Sequence, residues 1–217
     1  MYSQQPVSQG PAEDLTTAAR IRDTAIELFG EHGFQVGIRK IAAAAGVSPG
    51  LVNHHFGSKD GLRAACDARV LHLIRDEKIK ALTASSVAMN MLDALAEIDS
   101  YAPLFAYMMR SLQAGGPMAE SLLEDMISDT AEYLRQGVEA GNVKPSRDPV
   151  ARARYLVMLN VGATLLSMQM RLHRGEEIDY RKALRELSNE ITLPALELYT
   201  QGLLTDPTIL DTFIKEQ

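Results

Sequence analysis

Cysteine is nearly absent from this 217-residue sequence, in which Cys66 stands alone. A single cysteine excludes a disulfide framework and fits the reducing environment of the cytoplasm, which is the predicted location. We expect Cys66 to pack on one face of a helix rather than to sense oxidants. We also expect no signal peptide, because residues 1–14 are polar, and we predict a disordered tail there.

The sequence also lacks the period-two alternation of apolar and polar residues that predicts β-strands. Its nine prolines lie mostly at apparent helix boundaries, so we predict an all-α fold. Long apolar runs are missing as well. The apolar run without a formal charge at residues 155–170 is shorter than the ~20 apolar residues that a membrane-spanning helix needs, and it contains polar side chains. We therefore expect no membrane partner.

Catalytic and metal-binding motifs are the third absence. The sequence contains no Ser/His/Asp order, H-E-x-x-H motif, phosphate-binding loop or pair of carboxylates at a catalytic spacing. His54 and His55 are adjacent and point to different sides of a helix, which makes them a poor metal pair. We therefore predict a protein that is not an enzyme and that needs no metal or cofactor.

Positive charge is scarce overall but concentrated in one segment. The net charge is −6, yet residues 37–80 hold eight Lys or Arg against four acids, a local charge of +4 that leaves −10 elsewhere. A basic segment in an acidic chain favours contact with a nucleic acid. The alternative is the ordinary solvated charge of surface helices, which +4 alone does not exclude.

The basic segment contains the pattern of a helix-turn-helix, Ile38–Lys59. A short helix up to Ala45 is followed by a turn at Gly46 and by a second helix that Ser48 caps and Pro49 begins. The alanines at positions 42–45 would let the two helices approach closely. A helix-turn-helix can place its second helix in the major groove of DNA.

Several side chains of this segment are candidates for DNA contact. Asn53 can pair with adenine, although a solvent-exposed amide is the alternative, and Arg39 can reach guanine or phosphate. Lys59 lies at the start of the third helix, where a bound phosphate would offset the unfavourable position of a cation. The residues predicted to bind DNA are Arg39, Lys40, Ser48, Pro49, Gly50, Leu51, Asn53, His54, His55 and Lys59.

The run GVSPGLVNHHFGSKDGL resembles the DNA-binding motif of the tetracycline-repressor (TetR) family of bacterial regulators. Val52 replaces the usual leucine, Asn53 the usual tyrosine and Gly37 the usual serine or threonine cap. The motif covers roughly residues 16–80. The resemblance implies an N-terminal three-helix DNA-binding domain, residues 15–60, and a larger helical domain for effector binding and dimerisation, residues 61–217.

The rest of the sequence predicts further long helices. One begins at Asp148–Pro149 and carries the uncharged run, so we expect it to be buried almost all round or pressed against another subunit. Asn160, Thr164, Ser167 and Arg171 form a polar stripe along it, which could be met by a ligand, by a second subunit or by backbone carbonyls. Pro194 should kink the last long helix or restart it near Thr192.

These observations favour a ligand-responsive transcriptional regulator, most simply a repressor that binds a pseudo-palindromic operator as a homodimer and is released by a small apolar effector. The alternative is a helical small-molecule-binding protein or enzyme whose helix-turn-helix is incidental. The positions predicted to bind the effector are Tyr101, Phe105, Met109, Met126, Tyr133, Asn160 and Thr164.

Overall fold

The computed structural model describes residues 11–175, 177–206 and 208–215, and no strand occurs among them, which confirms the all-α prediction. The helices are α1 Pro11–His32, α2 Ile38–Ala44, α3 Pro49–Phe56, α4 Lys59–Thr83, α5 Val87–Ala96, α6 Ala102–Ala114, α7 Gly116–Glu139, α8 Pro149–His173, α9 Tyr180–Gln201 and α10 Thr208–Lys215, with a 3-10 helix Ile98–Tyr101 before α6. Across these described ranges, no helix combines the length and the apolarity that crossing a membrane requires.

Side-chain caps fix the ends of several helices where the sequence places them. The Ser48 hydroxyl accepts a hydrogen bond from the backbone N–H of Leu51 at 3.2 Å at the start of α3. Asp148 accepts from the N–H of Ala151 at 2.9 Å at the start of α8. Such caps satisfy N–H groups that have no partner within the helix, which explains why these boundaries were predictable.

One boundary differs from the prediction, and another was left open by it. α1 begins at Pro11, so residues 11–14 of the predicted tail belong to a helix, and residues 1–10 lie outside the described residues. Proline suits the first position of a helix because its fixed φ is helical and its missing N–H would have no partner there. α9 runs unbroken through Pro194, which excludes the restart near Thr192, one of the two predicted alternatives. Packing of Ala183 and Leu187 in the core supports α9 although Pro194 removes one backbone hydrogen bond.

The N-terminal helices pack around one hydrophobic cluster, which we call the head core. Ile21, Ala25 and Phe29 of α1 and Val52 of α3 are fully buried in it. The cluster also takes in Leu62, Cys66 and Val70 of α4 and Tyr107 of α6. The predicted boundary at residues 60 and 61 therefore falls in the first turn of a continuous helix, and α4 and α6 belong to both parts of the molecule.

The remaining helices pack around two smaller clusters. One lies between α6, α8 and α9, with Phe105, Met109 and Met168 buried. The other lies between α7 and α8, with Ile127, Ala153 and Val157 buried. α8 is not buried all round in the single chain, because Tyr155, Met158, Leu166 and other apolar residues are exposed along it.

Candidate nucleic-acid interface

The helix-turn-helix exposes polar side chains on both α2 and α3. Arg39 and Lys40 are exposed on α2, and Asn53 and His54 are exposed on α3. The turn between the helices needs a left-handed residue, which Gly46 supplies with φ +67°. Ile41 of α2 and Val52 of α3 are fully buried, so each helix packs one side inward and exposes the other.

The predicted DNA-contact residues do not all have the same exposure. Ser48, Pro49 and Gly50 are exposed at the start of α3, whereas Leu51 and His55 are half-buried. The His55 ring lies 6.1 Å from the ring of Phe56, which packs on the head core.

Sequence reasoning missed part of this face. Ala42 and Ala45 are buried between the helices as expected, but Ala43 and Ala44 are exposed on the same surface as Arg39 and Lys40. The helical period could have predicted this exposure, since four consecutive residues of a helix cannot all face the same neighbouring helix. Ala43 and Ala44 are small enough to let the surface approach a groove wall closely.

Lys59 has a protein partner that the sequence did not indicate. Its ammonium donates to the backbone carbonyl of Phe34 at 2.5 Å, which ties the start of α4 to the loop before α2. The Ser58 hydroxyl accepts from the N–H of Gly61 at 3.0 Å in the same turn. Lys59 is half-buried and carries three N–H donors, of which this carbonyl uses one.

An aromatic and polar cluster holds the helix-turn-helix against α6. The Phe34 ring lies 5.2 Å from that of Phe29 and 5.8 Å from that of Tyr107, and the Arg63 guanidinium lies 3.7 Å from the Phe34 ring centre. The Tyr107 hydroxyl donates to Asp67 at 2.7 Å. These contacts fix the orientation of the helix-turn-helix relative to α4 and α6.

Burial controls the ionisation of this cluster. It raises the pKa of Asp67, an effect that the hydrogen bond from Tyr107 partly opposes. It also raises the pKa of the Tyr107 hydroxyl, with the Asp67 carboxylate adding to the shift. Burial raises the pKa of the Cys66 thiol to about 12, so Cys66 is a protonated packing residue at neutral pH.

The local positive charge is only partly available for a ligand. Arg75 pairs with Asp129 of α7 at 3.0 Å, and Arg63 lies against Phe34. Arg63 and Arg75 of α4 thus contribute to internal contacts, whereas Arg39 and Lys40 remain exposed. Counting charge along the sequence overestimated the basic surface because it could not separate these two groups.

The seven positions predicted to bind the effector are not brought together. Phe105 and Met109 pack between α6, α8 and α9, whereas Met126 packs between α7 and α8. The Tyr101 hydroxyl donates to Glu77 of α4 at 3.2 Å, and Tyr133 is half-buried on α7. Two clefts open elsewhere on this part of the molecule, and none of the seven lines either.

The polar stripe of α8 is met largely within the protein. The Asn160 amide donates to the Leu156 carbonyl, and the Thr164 hydroxyl donates to the Asn160 carbonyl, both at 2.7 Å. Arg171 pairs with Glu186 of α9 at 2.8 Å. Of the three predicted alternatives, backbone carbonyls therefore serve Asn160 and Thr164, and an ion pair serves Arg171.

Two family models match the chain, one over each part of the fold. Residues 21–66 match the model described as bacterial regulatory proteins, tetR family. Residues 99–205 match the model described as tetracyclin repressor-like, C-terminal domain. The first match contains the helix-turn-helix, and the second spans α6–α9.

A similar regulator covers most of the chain, and a second covers part of it. The HTH-type transcriptional regulatory protein RaaS of Mycobacterium tuberculosis is 52% identical over 203 residues, which are 94% of each chain. The HTH-type transcriptional regulator BetI of Rhizobium meliloti is 35% identical over 85 residues, 39% of this chain and 42% of BetI. The crystal structure of a TetR-family regulator from Pectobacterium atrosepticum has a TM-score of 0.53 at 22% identity, covering 92% of this chain and all of that one, and shows the shared fold.

Proposed function

We propose a specific regulatory function for this chain, which belongs to the TetR family of bacterial transcriptional regulators. In this proposal, it represses transcription by binding a pseudo-palindromic operator as a homodimer in the cytoplasm. A small apolar effector releases it from the operator. The single observation that carries the proposal is the exposed face of α2 and α3, supported from behind by the head core.

The exposed face supports distinct roles for its side chains. Arg39 and Lys40 are exposed cations at one end of α2, suited to phosphate or to guanine. Asn53 and His54 project from the middle of α3 and would meet base edges in the major groove. Lys59 would use its remaining N–H donors on a backbone phosphate. The half-buried Leu51 and His55 would lie at the margin of the contact.

The apolar surface of α8 and α9 supports the homodimer. Met158 is 55% exposed, Leu166 62% and Tyr199 51%, although these are large apolar side chains. A methyl group added at Gly162 would meet nothing within 4 Å in the single chain, so a second helix has room to cross there. A two-fold pair would hold two heads over half-sites about one helical turn apart.

Release by an effector requires two head arrangements with different affinities for DNA. α4 is the element that both parts share, because its first half belongs to the head core and its second half packs along α7. An effector that favours one position of α4 would therefore change the spacing of the heads. The alternative of an enzyme or a binding protein with an incidental motif is disfavoured, since both family models and RaaS describe regulators.

A gel-shift experiment tests the DNA half of this proposal. The full chain is titrated onto the region upstream of its own gene at several salt concentrations. We expect specific binding that weakens as salt rises, and the double variant Arg39→Ala/Lys40→Ala should reduce the salt slope by about 1 for each phosphate contact that is lost. Lys144→Ala, at an exposed position between α7 and α8, is the matched control. Binding that ignores sequence, or a double variant that behaves like Lys144→Ala, contradicts the assignment of this face.

The homodimer has a separate test in Gly162→Leu, compared with Ser121→Leu at an exposed position of α7. Sedimentation over a concentration series should show a weaker dimer for Gly162→Leu alone. An unchanged dimer would place the interface elsewhere.

A further inference from the structure

A cleft of about 510 Å³ opens between the end of α5, the 3-10 helix and one face of α9. Its volume lies within the roughly 300–1,000 Å³ that is usual for small-molecule sites. Leu95, Ile98 and Leu193 contribute apolar surface to it. No residue of α2 or α3 lines the cleft, so the proposed contact with DNA does not account for it.

The polar side of the cleft is a row of side chains along α9. Thr192 lies four residues after Ser188 and three after Asn189, so it is a surface neighbour of both on the helix. The Ser188 and Thr192 hydroxyls lie 3.3 Å apart and can each still bond to a further group. The opposite face of α9 is the core face that buries Ala183 and Leu187.

α5 forms a loosely held wall of this cleft. Its sequence, VAMNMLDALA, is strongly apolar, yet none of its residues is buried. Met89 and Leu92 are 57% and 59% exposed. A helix that buries little can shift to admit a ligand at small cost, because few packing contacts are broken.

The two charged residues of the cleft lining already pair with each other. Arg185 of α9 holds Asp99 of the 3-10 helix through both carboxylate oxygens, with one of the two contacts at 3.2 Å from Nε to Oδ1. The lining therefore offers an ionic ligand no unpaired charge. It offers an uncharged ligand an apolar wall and a hydrogen-bonding edge.

The same 3-10 helix is bonded directly to α4. Tyr101 closes the 3-10 helix, and its hydroxyl donates to Glu77 of α4 at 3.2 Å. Partial burial, together with the nearby Glu77 carboxylate, raises the pKa of Tyr101, so the hydroxyl keeps the proton that it donates. Leu62 and Cys66, which lie earlier on the same helix as Glu77, are buried in the head core.

From this arrangement we infer that the cleft between α5, the 3-10 helix and α9 is the effector site, and that it takes an uncharged amphipathic small molecule. The ligand would lay its apolar body on Leu95, Ile98 and Leu193 and direct hydrogen-bonding groups to Ser188, Asn189 and Thr192. Movement of the 3-10 helix would reach α4 through Tyr101 and Glu77. This inference rests on the proposed function, because it names the site and the class of effector.

Binding of an uncharged fluorescent dye, Nile red, to the full-length protein tests the location of the site. Ser188→Phe and Asn189→Phe each fill the cleft from the exposed polar row, and Ser121→Phe on α7 is the matched control. We expect both cleft variants to weaken dye binding at least tenfold, while Ser121→Phe binds as the unmodified protein does. Thermal melting confirms that each variant is folded, and the second cleft variant remains decisive if the first does not fold.

Tyr101→Phe tests the connection to α4. It should bind Nile red with unchanged affinity, whereas the dye should release it from operator DNA less effectively than it releases the unmodified protein. Equal dye binding by the cleft variants and the control, or no dye binding by the unmodified protein, would overturn the inference. Failure of the unmodified protein to bind operator DNA without dye would instead overturn the proposed function, since dye binding is measured without DNA.

Discussion

The helix-turn-helix and the larger helical domain differ in how closely their side chains follow local patterns. In the first, Ser48 caps α3, Gly46 makes the turn and Val52 is buried, each as its local sequence requires. In the second, α8 begins where expected, after Asp148, but Phe105, Met126 and Asn160 lie in separate surroundings. The exposed face of a helix-turn-helix is built from residues that are close in the sequence, whereas a binding cavity is built from residues far apart in the chain.

The most severe test of this comparison removes one buried phenylalanine from each region. Phe29→Ala in the head core and Phe105→Ala beside Met109 should each lower the free energy of unfolding by about 3–5 kcal/mol, because both rings are buried. Urea unfolding measures both values. If Phe105 instead lines an open effector pocket, as the sequence suggested, Phe105→Ala will cost little stability and will change effector affinity.

Gly61 offers a smaller effect at the joint between α3 and α4. A Cβ atom at this position would lie 2.1 Å from the Phe56 carbonyl oxygen, so Gly61→Ala must shift the backbone and should cost about 1–3 kcal/mol. Gly50→Ala is the matched control, since its Cβ would meet only the Ser48 hydroxyl at 3.8 Å. Thermal unfolding and operator affinity are measured for both. Equal stability of the two variants would show that a Cβ atom at position 61 fits beside the Phe56 carbonyl without strain.

Removing one cap from each region should have similar and moderate effects. Ser48→Ala and Asp148→Ala each remove a side chain that accepts a backbone N–H, which typically costs about 1 kcal/mol. Only Ser48→Ala should also weaken operator binding, because α3 carries the side chains proposed to contact DNA. Parallel urea unfolding and DNA titrations separate the two. A loss of operator affinity in Asp148→Ala would show that the regions are coupled more strongly than the caps suggest.

The smallest expected effect concerns Asp67, where the two regions meet. Burial raises its pKa above the ordinary value of 3.8, so the folded state binds the proton more tightly than the unfolded state does. The stabilisation is complete below pH 3.8 and is lost as the pH rises through the higher pKa of the folded state. As the pH rises through this range, the free energy of unfolding of Asp67→Asn should therefore fall less than that of the unmodified protein. If the stability of Asp67→Asn and that of the unmodified protein depend on pH in the same way, Asp67 is not a source of the pH dependence.

Much of the fold and of the DNA-binding face was predictable because the relevant signals are local. The caps at Ser48 and Asp148 need only a hydroxyl or a carboxylate three residues before a free N–H. The sequence left open whether α9 continues through Pro194 or restarts after it, since proline acts locally as a helix breaker, and the structure shows one continuous helix. The partners of Lys59 and Arg63 were hidden for a similar reason, because both contact Phe34, more than twenty residues away.

The sequence by itself determined an all-α chain, a helix-turn-helix at Ile38–Lys59 and the likeness to one family of regulators. Those features depend on helical period, capping and turn chemistry, which act over a few residues. Only the tertiary structure decided which cations stay exposed, which apolar face of α8 remains uncovered and where a cleft opens beside α9. These depend on how distant helices pack, and no local pattern encodes the contacts that α1, α4 and α6 make with one another.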